Sequence, residues 1–315
     1  MIEQAAMLNI LLTRELPPAM MDALGQFGEL TLLSKAISLS ELEPSIIVST
    51  AVDQVNVEMI EACTKSLGLI ANIGVGTDNI DLQAAADAGV QVANTPVVTE
   101  DTADLAMALL LAACRKMRAC EQALREGDWA KGASILGQRV HGKTLGIVGA
   151  GAIGQALARR ASGFEMPIVY TGPSRKSEFE QNQQARYVAD LNALLEQVDI
   201  ISLHCPLSES TRHILDAEQF ARCKSSAVLV NTGRGALVNE SALVNALKTG
   251  QIAGAGLDVF EFEPQVSTEL LEMDNVSTLP HIGSATGECR ADMAACTVGN
   301  IQSFLQQGSA LHRAV

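Results

Sequence analysis

A glycine-rich turn between a strand and a helix is the feature that most constrains how this chain can fold. The pattern G-x-G-x-x-G directly follows the apolar run at 144–148 and opens a helical pattern. Its first glycine permits a tight turn, its second lets the backbone approach a pyrophosphate, and its third allows close helix–strand packing. The helix N-terminus adds N–H groups that attract an anion. We therefore expect a dinucleotide-binding unit, the alternative being a turn that serves packing alone. The expected contacts are Gly149, Gly151, Ala152, Ile153 and Gly154.

Apolar bursts alternate with helical patterns along almost the whole chain, which predicts an α/β fold with doubly wound parallel sheets. Before the glycine-rich turn, strands are expected at 7–13, 45–49, 67–73 and 90–93. After it, strands are expected at 167–170, 200–204, 227–231, 254–259 and 276–279. Helices are expected after Pro17 and at about 152–165, 190–197, 216–222, 240–249 and 285–307.

A single long helix is predicted at 102–125, where alanine and leucine occupy most sides. A helix that is apolar nearly all round needs burial on more than one face. We therefore expect it to lie between domains or between two subunits. The regions suited to linkers lie around 96–101 and 283–286.

The composition excludes several classes of protein. The 315 residues suggest about two domains, and the formal net charge of −14 argues against a nucleic-acid or anionic-membrane partner. The longest apolar run, 105–114, is too short to cross a bilayer. Seven cysteines without C-x-x-C spacing indicate free thiols rather than disulfides or a zinc site, so no metal is expected. With no basic segment around Glu3, a cytoplasmic protein is expected.

The end of the strand at 167–170 bears on the choice of dinucleotide. Enzymes that use NAD usually place an acid there for the ribose 2′-hydroxyl, but the residues that follow include Thr171, Ser174, Arg175 and Lys176 and no acid. Arginine and lysine attract a 2′-phosphate. We therefore expect NADP(H), with NAD(H) possible if Arg175 and Lys176 only form a solvated loop.

Three polar side chains follow later strands at the same predicted sheet edge. Arg234 lies between two glycines after one strand, Glu263 follows the next, and His281 comes after the last. In an open parallel sheet, ligands bind beyond the carboxyl ends of the strands. Imidazole can donate a proton near neutral pH, a carboxylate can orient it, and a guanidinium can hold a carboxylate. Each residue alone could be structural; together they point to an acid–base site.

The sequence resembles the D-isomer-specific 2-hydroxyacid dehydrogenase family over nearly its whole length. The resemblance rests on IGVGTDNID at 73–81, TEDTADLAMALLLA at 99–112, GKTLGIVGAGAIG at 142–154, HCPL at 204–207, NTGRGALVNESAL at 231–243, LDVFEFEP at 257–264 and PHIGSAT at 280–286. It implies two Rossmann-like domains, with a cofactor domain at 99–284 inserted into a flavodoxin-like, substrate-binding domain at 1–98 and 285–315. It also implies a homodimer, which we expect to form through the helix at 102–125.

The same resemblance assigns roles to individual residues. Arg234, Glu263 and His281 fall on the family's catalytic positions, and the backbone N–H groups of Val75 and Gly76 are expected to bind the substrate carboxylate together with Arg234 and His281. Further cofactor contacts are expected at Thr102, Cys205, Pro206, Thr232, Asp258 and Gly283. Cys205 is not expected to act as a nucleophile, because no base is identifiable beside it.

Asn72 and the basic end of the second cofactor-domain strand look most like the glyoxylate/hydroxypyruvate reductases and their 2-ketogluconate-reducing relatives. The expected reaction is NADPH-dependent reduction of a small 2-oxo acid to the D-2-hydroxy acid, with His281 as proton donor. Alternatives are a 2-oxo acid reductase that uses NAD(H), an enzyme of another donor class such as phosphite oxidation, and a non-enzymatic nucleotide sensor. The Trp129 side chain is expected to pack against the protein and to have a structural role.

Overall fold

The computed structural model describes residues 8–36 and 38–315. Its strands are β1 (Leu8–Leu12), β2 (Gly28–Leu32), β3 (Ile46–Thr50), β4 (Leu69–Ile73), β5 (Gln91–Ala93), β6 (Leu145–Val148), β7 (Ile168–Thr171), β8 (Arg186–Tyr187), β9 (Ile200–Leu203), β10 (Val228–Asn231), β11 (Gly254–Leu257) and β12 (Val276–Thr278). Its helices are α1 (Pro18–Gly25), α2 (Leu39–Leu42), α3 (Val57–Cys63), α4 (Leu82–Asp87), α5 (Thr99–Cys114), α6 (Met117–Arg125), α7 (Trp129–Ser134), α8 (Ala152–Ser162), α9 (Ser177–Gln183), α10 (Leu191–Leu195), α11 (Ala217–Arg222), α12 (Glu240–Lys248), α13 (Thr268–Glu272) and α14 (Gly287–Gln307). Met7, the expected start of the first strand, and Glu3 lie outside the described residues.

The chain divides into two compact units, 1–98 with 285–315 and 99–284. The chain therefore leaves the first unit once, builds the whole of the second, and returns. Both crossing points lie inside the segments that the sequence marks as linker regions, 96–101 and 283–286.

The first unit is built on a parallel five-stranded sheet in the order β2-β1-β3-β4-β5. This is the flavodoxin-like strand order. Neighbouring residues of β1 face opposite sides of the sheet, so Ile10 joins the apolar cluster that includes Met293 of α14, whereas Leu11 joins the one that includes Ile60 of α3. Helices thus cover both faces.

The second unit is built on a parallel seven-stranded sheet in the order β12-β11-β10-β9-β6-β7-β8. Its two faces are also covered, since Ile147 packs with Leu157 of α8 while Val148 packs in the cluster of Leu194 and Leu243. The chain runs outward from β6 through β7 and β8, and then resumes on the other side of β6 at β9. Ligands bind beyond the carboxyl ends of the strands at such a reversal of order. The turns after β6 and β9 are therefore candidates for a ligand site.

The predicted fold class, two doubly wound parallel-sheet domains with one inserted in the other, is confirmed. Two strands were not predicted. β2 begins with Gly28 and carries an exposed Glu29, so it lacks an apolar run. β8 has only two residues, Arg186 and Tyr187, which is too short to produce a pattern.

The prediction of one continuous helix at 102–125 was wrong, because α5 ends at Cys114 and α6 begins at Met117, with Lys116 in the left-handed region at φ +49°. The Cys114 carbonyl accepts a hydrogen bond of 2.7 Å from the Gln138 N–H, so this carbonyl is bonded to a segment distant in sequence and not to the next helical turn.

In the described part of the chain, no helix combines the length and apolarity needed to span a bilayer.

The expectation that Trp129 packs structurally was also wrong. Trp129 begins α7 and is 75% exposed. Asp128 caps this short helix by accepting a hydrogen bond from the Lys131 N–H at 2.9 Å. The cap fixes the start of the helix and leaves the indole pointing away from the core of the second unit.

Candidate active site

The glycine-rich turn after β6 meets the turn after β9, where the strand order reverses. Gly149 has φ +97°, and a Cβ there would lie 2.5 Å from the Cys205 backbone nitrogen. A Cβ on Gly154 would lie 2.5 Å from the Gly149 carbonyl oxygen, whereas a Cβ on Gly151 would meet nothing within 4 Å. The first and third glycines are thus required by packing, and the second leaves open space at the start of α8.

This arrangement fits a bound dinucleotide. Ala152 and Ile153 form the first turn of α8, whose N–H groups are available to a pyrophosphate. The Thr232 hydroxyl, at the end of β10, is buried and has no hydrogen-bond partner among the described residues, so a bound group can satisfy it. Pro206 is exposed beside the turn after β9.

The loop after β7 is shaped by two tyrosine hydroxyls. The Lys176 N–H donates to the Tyr170 hydroxyl at 2.6 Å, and the Tyr187 hydroxyl donates to the Gly172 carbonyl at 3.0 Å. Thr171 is buried and donates to the Ala189 carbonyl. Ser174, Arg175 and Lys176 are exposed. The loop thus presents a hydroxyl and two cationic side chains to solvent.

His281 and Glu263 form a direct pair. Nδ1 of His281 lies 2.8 Å from Oε2 of Glu263, whose Oε1 accepts a hydrogen bond of 2.9 Å from the Phe260 N–H. Burial by itself raises the pKa of Glu263, but the hydrogen bonds from His281 and Phe260 and the charge of Arg234 hold that pKa below its usual value. An ionised Glu263 therefore faces the ring and fixes its orientation through Nδ1.

Asp258 determines the backbone path at His281. Its carboxylate accepts hydrogen bonds of 2.8 Å from the N–H groups of Ile282 and Gly283, and its carbonyl accepts one of 2.8 Å from the His281 N–H. These bonds hold His281 at φ +55°. Burial is the main cause of a raised pKa at Asp258. Thr102 in α5 completes the turn, because its hydroxyl donates to the Gly283 carbonyl at 3.3 Å.

Arg234 lies on a loop that packs directly against the loop of Glu263. The Asn231 side chain fixes the Arg234 loop, since it donates to the Arg234 carbonyl at 2.9 Å and accepts from the Gly233 N–H at 3.0 Å. A Cβ on Gly235 would lie 1.8 Å from the carbonyl carbon of Phe260. No residue other than glycine can occupy this position without moving one of the loops.

A pair of glutamates that sequence reasoning missed ties the start of α12 to the loop of Glu263. Glu261 accepts a hydrogen bond of 3.0 Å from the Glu240 N–H, and Glu240 accepts one of 3.2 Å from the Glu261 N–H. His213 contacts the other carboxylate oxygen of Glu261 at 2.5 Å. The three residues come from separate segments, so the only sequence signal is the position of Glu261 within the motif that contains Glu263.

The cysteine and the histidine in the turn after β9 are both uncharged at neutral pH. Burial raises the pKa of the Cys205 thiol to about 11 and lowers the pKa of His204 to about 4. The thiol therefore stays protonated and the imidazole stays neutral, with its Nε2 atom 2.8 Å from the Ser202 hydroxyl. A protonated thiol is a poor nucleophile.

Val75 and Gly76 belong to the first unit, in the loop after β4. Their carbonyl oxygens accept hydrogen bonds from the side chains of Asn94 at 2.8 Å and Asn72 at 2.7 Å. The Ser49 hydroxyl in turn donates to the Asn72 carbonyl oxygen at 2.9 Å. Because two carbonyls are held, the peptide groups of this loop have a fixed orientation.

Comparisons with known proteins agree with this geometry. Residues 107–283 match the sequence profile of the family named D-isomer specific 2-hydroxyacid dehydrogenase, NAD binding domain. A glyoxylate reductase of Thermococcus litoralis is 43% identical over 310 residues, which cover 94% of this chain and 93% of that protein. A glyoxylate/hydroxypyruvate reductase B of Escherichia fergusonii is 42% identical over 315 residues, 95% of each chain. The crystal structure of an NADPH-dependent glyoxylate/hydroxypyruvate reductase of Sinorhizobium meliloti, in complex with NADP and malonate, superposes with a TM-score of 0.91 at 35% identity and covers 98% of this chain and 97% of that one.

Proposed function

Because this chain belongs to the D-isomer-specific 2-hydroxyacid dehydrogenase family, we propose that it is an NADPH-dependent reductase that converts glyoxylate or hydroxypyruvate to the D-2-hydroxy acid. The chain is an oxidoreductase of 2-hydroxy acids that uses a nicotinamide cofactor. The observation that carries the proposed mechanism is the 2.8 Å contact between His281 and Glu263. An imidazole paired with an ionised carboxylate is suited to deliver a proton to a carbonyl oxygen.

In this mechanism, His281 donates the proton to the carbonyl oxygen as C2 is reduced, and Glu263 keeps the imidazolium oriented. Arg234 binds the substrate carboxylate and carbonyl oxygen, because its planar guanidinium presents paired donors. In the first unit, the N–H groups of Val75 and Gly76 are proposed to bind a carboxylate. A bound NADPH would supply the hydride. The turns after β6 and β9, with Thr102, Thr232, Asp258 and Gly283, would hold the dinucleotide.

A panel of substrates tests the proposed reaction. We expect oxidation of NADPH to be fastest with glyoxylate or hydroxypyruvate and slower with 2-ketogluconate or aromatic 2-oxo acids, as followed by absorbance. Faster reduction of 2-ketogluconate would move the chain to that branch of the family. Absence of turnover with all these acids, but retention of NADPH binding, would favour a nucleotide sensor. Reduction of NADP⁺ by phosphite would identify another donor class.

The cofactor preference is tested in the loop after β7. Replacing both Arg175 and Lys176 with alanine should lower kcat/KM for NADPH about tenfold or more, because a 2′-phosphate loses its cationic partners, and should leave kcat/KM for NADH almost unchanged. Lys248→Ala is the matched control, since Lys248 pairs with Glu269 at an exposed site on α12. A wild-type enzyme that prefers NADH would contradict the assignment of NADPH.

The pair formed by His281 and Glu263 predicts an effect on the rate. Glu263→Gln keeps an oxygen beside Nδ1 of His281 but removes the ionised carboxylate that orients the ring. We expect kcat for glyoxylate reduction to fall about tenfold or more, because the carboxylate that orients a catalytic imidazole is replaced by its amide, and the Kd for NADPH to stay nearly constant. A kcat equal to that of the wild type would show that the carboxylate does not act through the ring.

We further propose a homodimer formed through the segment 117–136 rather than through α5. Half of α5 is buried within its own unit, whereas Met117, Leu124, Trp129 and Leu136 are 49%, 56%, 75% and 82% exposed. Large apolar side chains concentrated in one exposed segment indicate a protein interface, and a second copy is the commonest occupant.

A reducing compartment such as the cytoplasm suits the seven free cysteines.

Light scattering tests the dimer. The wild type should have the mass of two chains, and a variant with both Trp129→Asp and Leu136→Asp should have the mass of one, because buried aspartates oppose association. Leu311→Asp, which changes an exposed leucine of the first unit, should remain dimeric. A monomeric wild type at micromolar concentration would refute this interface.

A further inference from the structure

The cationic loop after β7 is paired with an acid that the sequence pattern did not reveal. Glu180, on α9, approaches Arg175 with Oε2 at 2.6 Å from Nη2 and Oε1 at 3.0 Å from Nε. The pair is bidentate, which is the strongest arrangement that guanidinium and carboxylate can adopt. The loop therefore carries an internal anion at the point where a 2′-phosphate is expected.

Glu180 is held in place independently of Arg175. The Tyr170 hydroxyl donates to Oε1 of Glu180 at 2.8 Å, and the Tyr170 ring is buried at the end of β7. The ring of Phe179, the preceding residue on α9, packs edge-on against Tyr170 at 5.2 Å between centroids. The Glu180 side chain is 18% exposed, compared with 67% for Arg175. The carboxylate is thus the more buried partner, held by a contact of its own, and the guanidinium is the more exposed one.

The charge of this carboxylate persists at neutral pH. Hydrogen bonds from Arg175 and then from Tyr170 hold the pKa of Glu180 below its usual value. The same contact with Glu180 raises the pKa of Arg175. At pH 7 the charges of Arg175 and Glu180 cancel. Of the three charged side chains Arg175, Lys176 and Glu180, only Lys176 then contributes a net positive charge.

A 2′-phosphate and Glu180 compete for the same donors. The Nε–Nη2 edge of a guanidinium is one of the two edges that bind an oxyanion through two donors, and in Arg175 this edge faces Glu180. A phosphate must either displace the carboxylate or accept the remaining edge while it lies close to a second negative charge. The ribose 2′-hydroxyl of NADH carries no charge and meets neither obstacle.

We propose that Glu180 is a specificity-determining residue that restrains the preference for NADPH over NADH by competing with the 2′-phosphate for Arg175. This inference rests on the proposed function for the position of the 2′-phosphate. Removal of one negative charge should shift the balance toward the phosphorylated cofactor.

Glu180→Gln tests the proposal, because glutamine keeps an oxygen that accepts from Tyr170 and loses the charge. We expect the Kd for NADP⁺, measured by calorimetry, to fall about three- to tenfold, and the Kd for NAD⁺ to stay nearly constant. Glu178→Gln is the matched control, since Glu178 is an exposed carboxylate on the same helix. It should leave both constants nearly unchanged.

If Glu178→Gln and Glu180→Gln lowered the Kd for NADP⁺ equally, the proposal would be overturned, because a general reduction of negative charge would then explain the effect. Weaker binding of NADP⁺ by Glu180→Gln would also overturn it, since Glu180 would then position Arg175 for the phosphate. When Arg175 is also replaced by alanine, Glu180→Gln should tighten NADP⁺ binding no more than Glu178→Gln does. If Glu180→Gln still tightened NADP⁺ binding more than Glu178→Gln, competition for Arg175 would be excluded.

These outcomes are separable from a failure of the proposed function. A wild type that prefers NADH contradicts the assignment of NADPH, yet the change in the ratio of the two Kd values on Glu180→Gln still measures the competition. Conversely, an unchanged ratio in an enzyme that prefers NADPH overturns only the role of Glu180. Unaltered binding of NAD⁺ shows that the variant is folded.

Discussion

His281→Asn should lower kcat for glyoxylate reduction by about 10²- to 10⁴-fold, the contribution that a positioned general acid typically makes. The variant loses the imidazole that pairs with Glu263 at 2.8 Å. Asparagine is chosen because His281 has φ +55°, and asparagine tolerates the left-handed region better than alanine does. The backbone bonds to Asp258 are therefore retained, and the loss can be assigned to the side chain.

Steady-state kinetics at pH 7 measure this effect, and titration with NADPH should show unchanged cofactor binding. His141→Asn is the matched control, because His141 is an exposed histidine of the same unit, 3.8 Å from Glu165. It should keep the wild-type rate. A kcat of His281→Asn close to that of the wild type would show that another group donates the proton.

Arg234→Lys should reduce kcat/KM for glyoxylate about 10- to 100-fold, because hydrogen bonds to a charged partner are lost. Lysine preserves the positive charge but cannot present two donors in a plane. The backbone of Arg234 is held by the Asn231 side chain through the carbonyl, so the substitution leaves the loop in place. The loss should appear mainly in KM, since the proposed role is to bind the substrate carboxylate.

Arg222→Lys is the control for this substitution, as Arg222 forms an exposed pair with Glu196 at 3.2 Å. It should have wild-type kinetics. If Arg234→Lys retained the wild-type KM for glyoxylate, the carboxylate would have to be anchored by other groups, and the role proposed for the guanidinium would be abandoned.

The sequence predicted those parts of the fold that depend on local pattern. Buried parallel strands such as β6 and β10 appear as short apolar runs, and the glycine-rich turn after β6 has a steric cause that acts at each glycine separately. Arg234, Glu263 and His281 could be predicted as candidate site residues because each follows a strand that is visible in the sequence as an apolar run. The contact between His281 and Glu263 required only that neighbouring strands end at one sheet edge.

What escaped prediction depends on contacts between distant segments. The break between α5 and α6 arises because Gln138 donates to the Cys114 carbonyl, and neither residue marks a helix end by its type. The approach of Glu180 to Arg175 depends on how α9 folds back over Tyr170. The exposure of Trp129 depends on how α7 packs against the rest of the second unit, which the local sequence does not encode.

The close approach of Gly235 to Phe260 has a consequence for any substitution at this glycine. Since a single added carbon would lie 1.8 Å from the Phe260 carbonyl carbon, the segment that carries Arg234 cannot drift in shape without carrying the segment of Glu263 with it. A substitution of Gly235 would therefore displace the segments of Arg234 and Glu263 together, so both proposed catalytic side chains depend on one backbone contact. A change at this glycine should act on binding and on proton transfer at the same time.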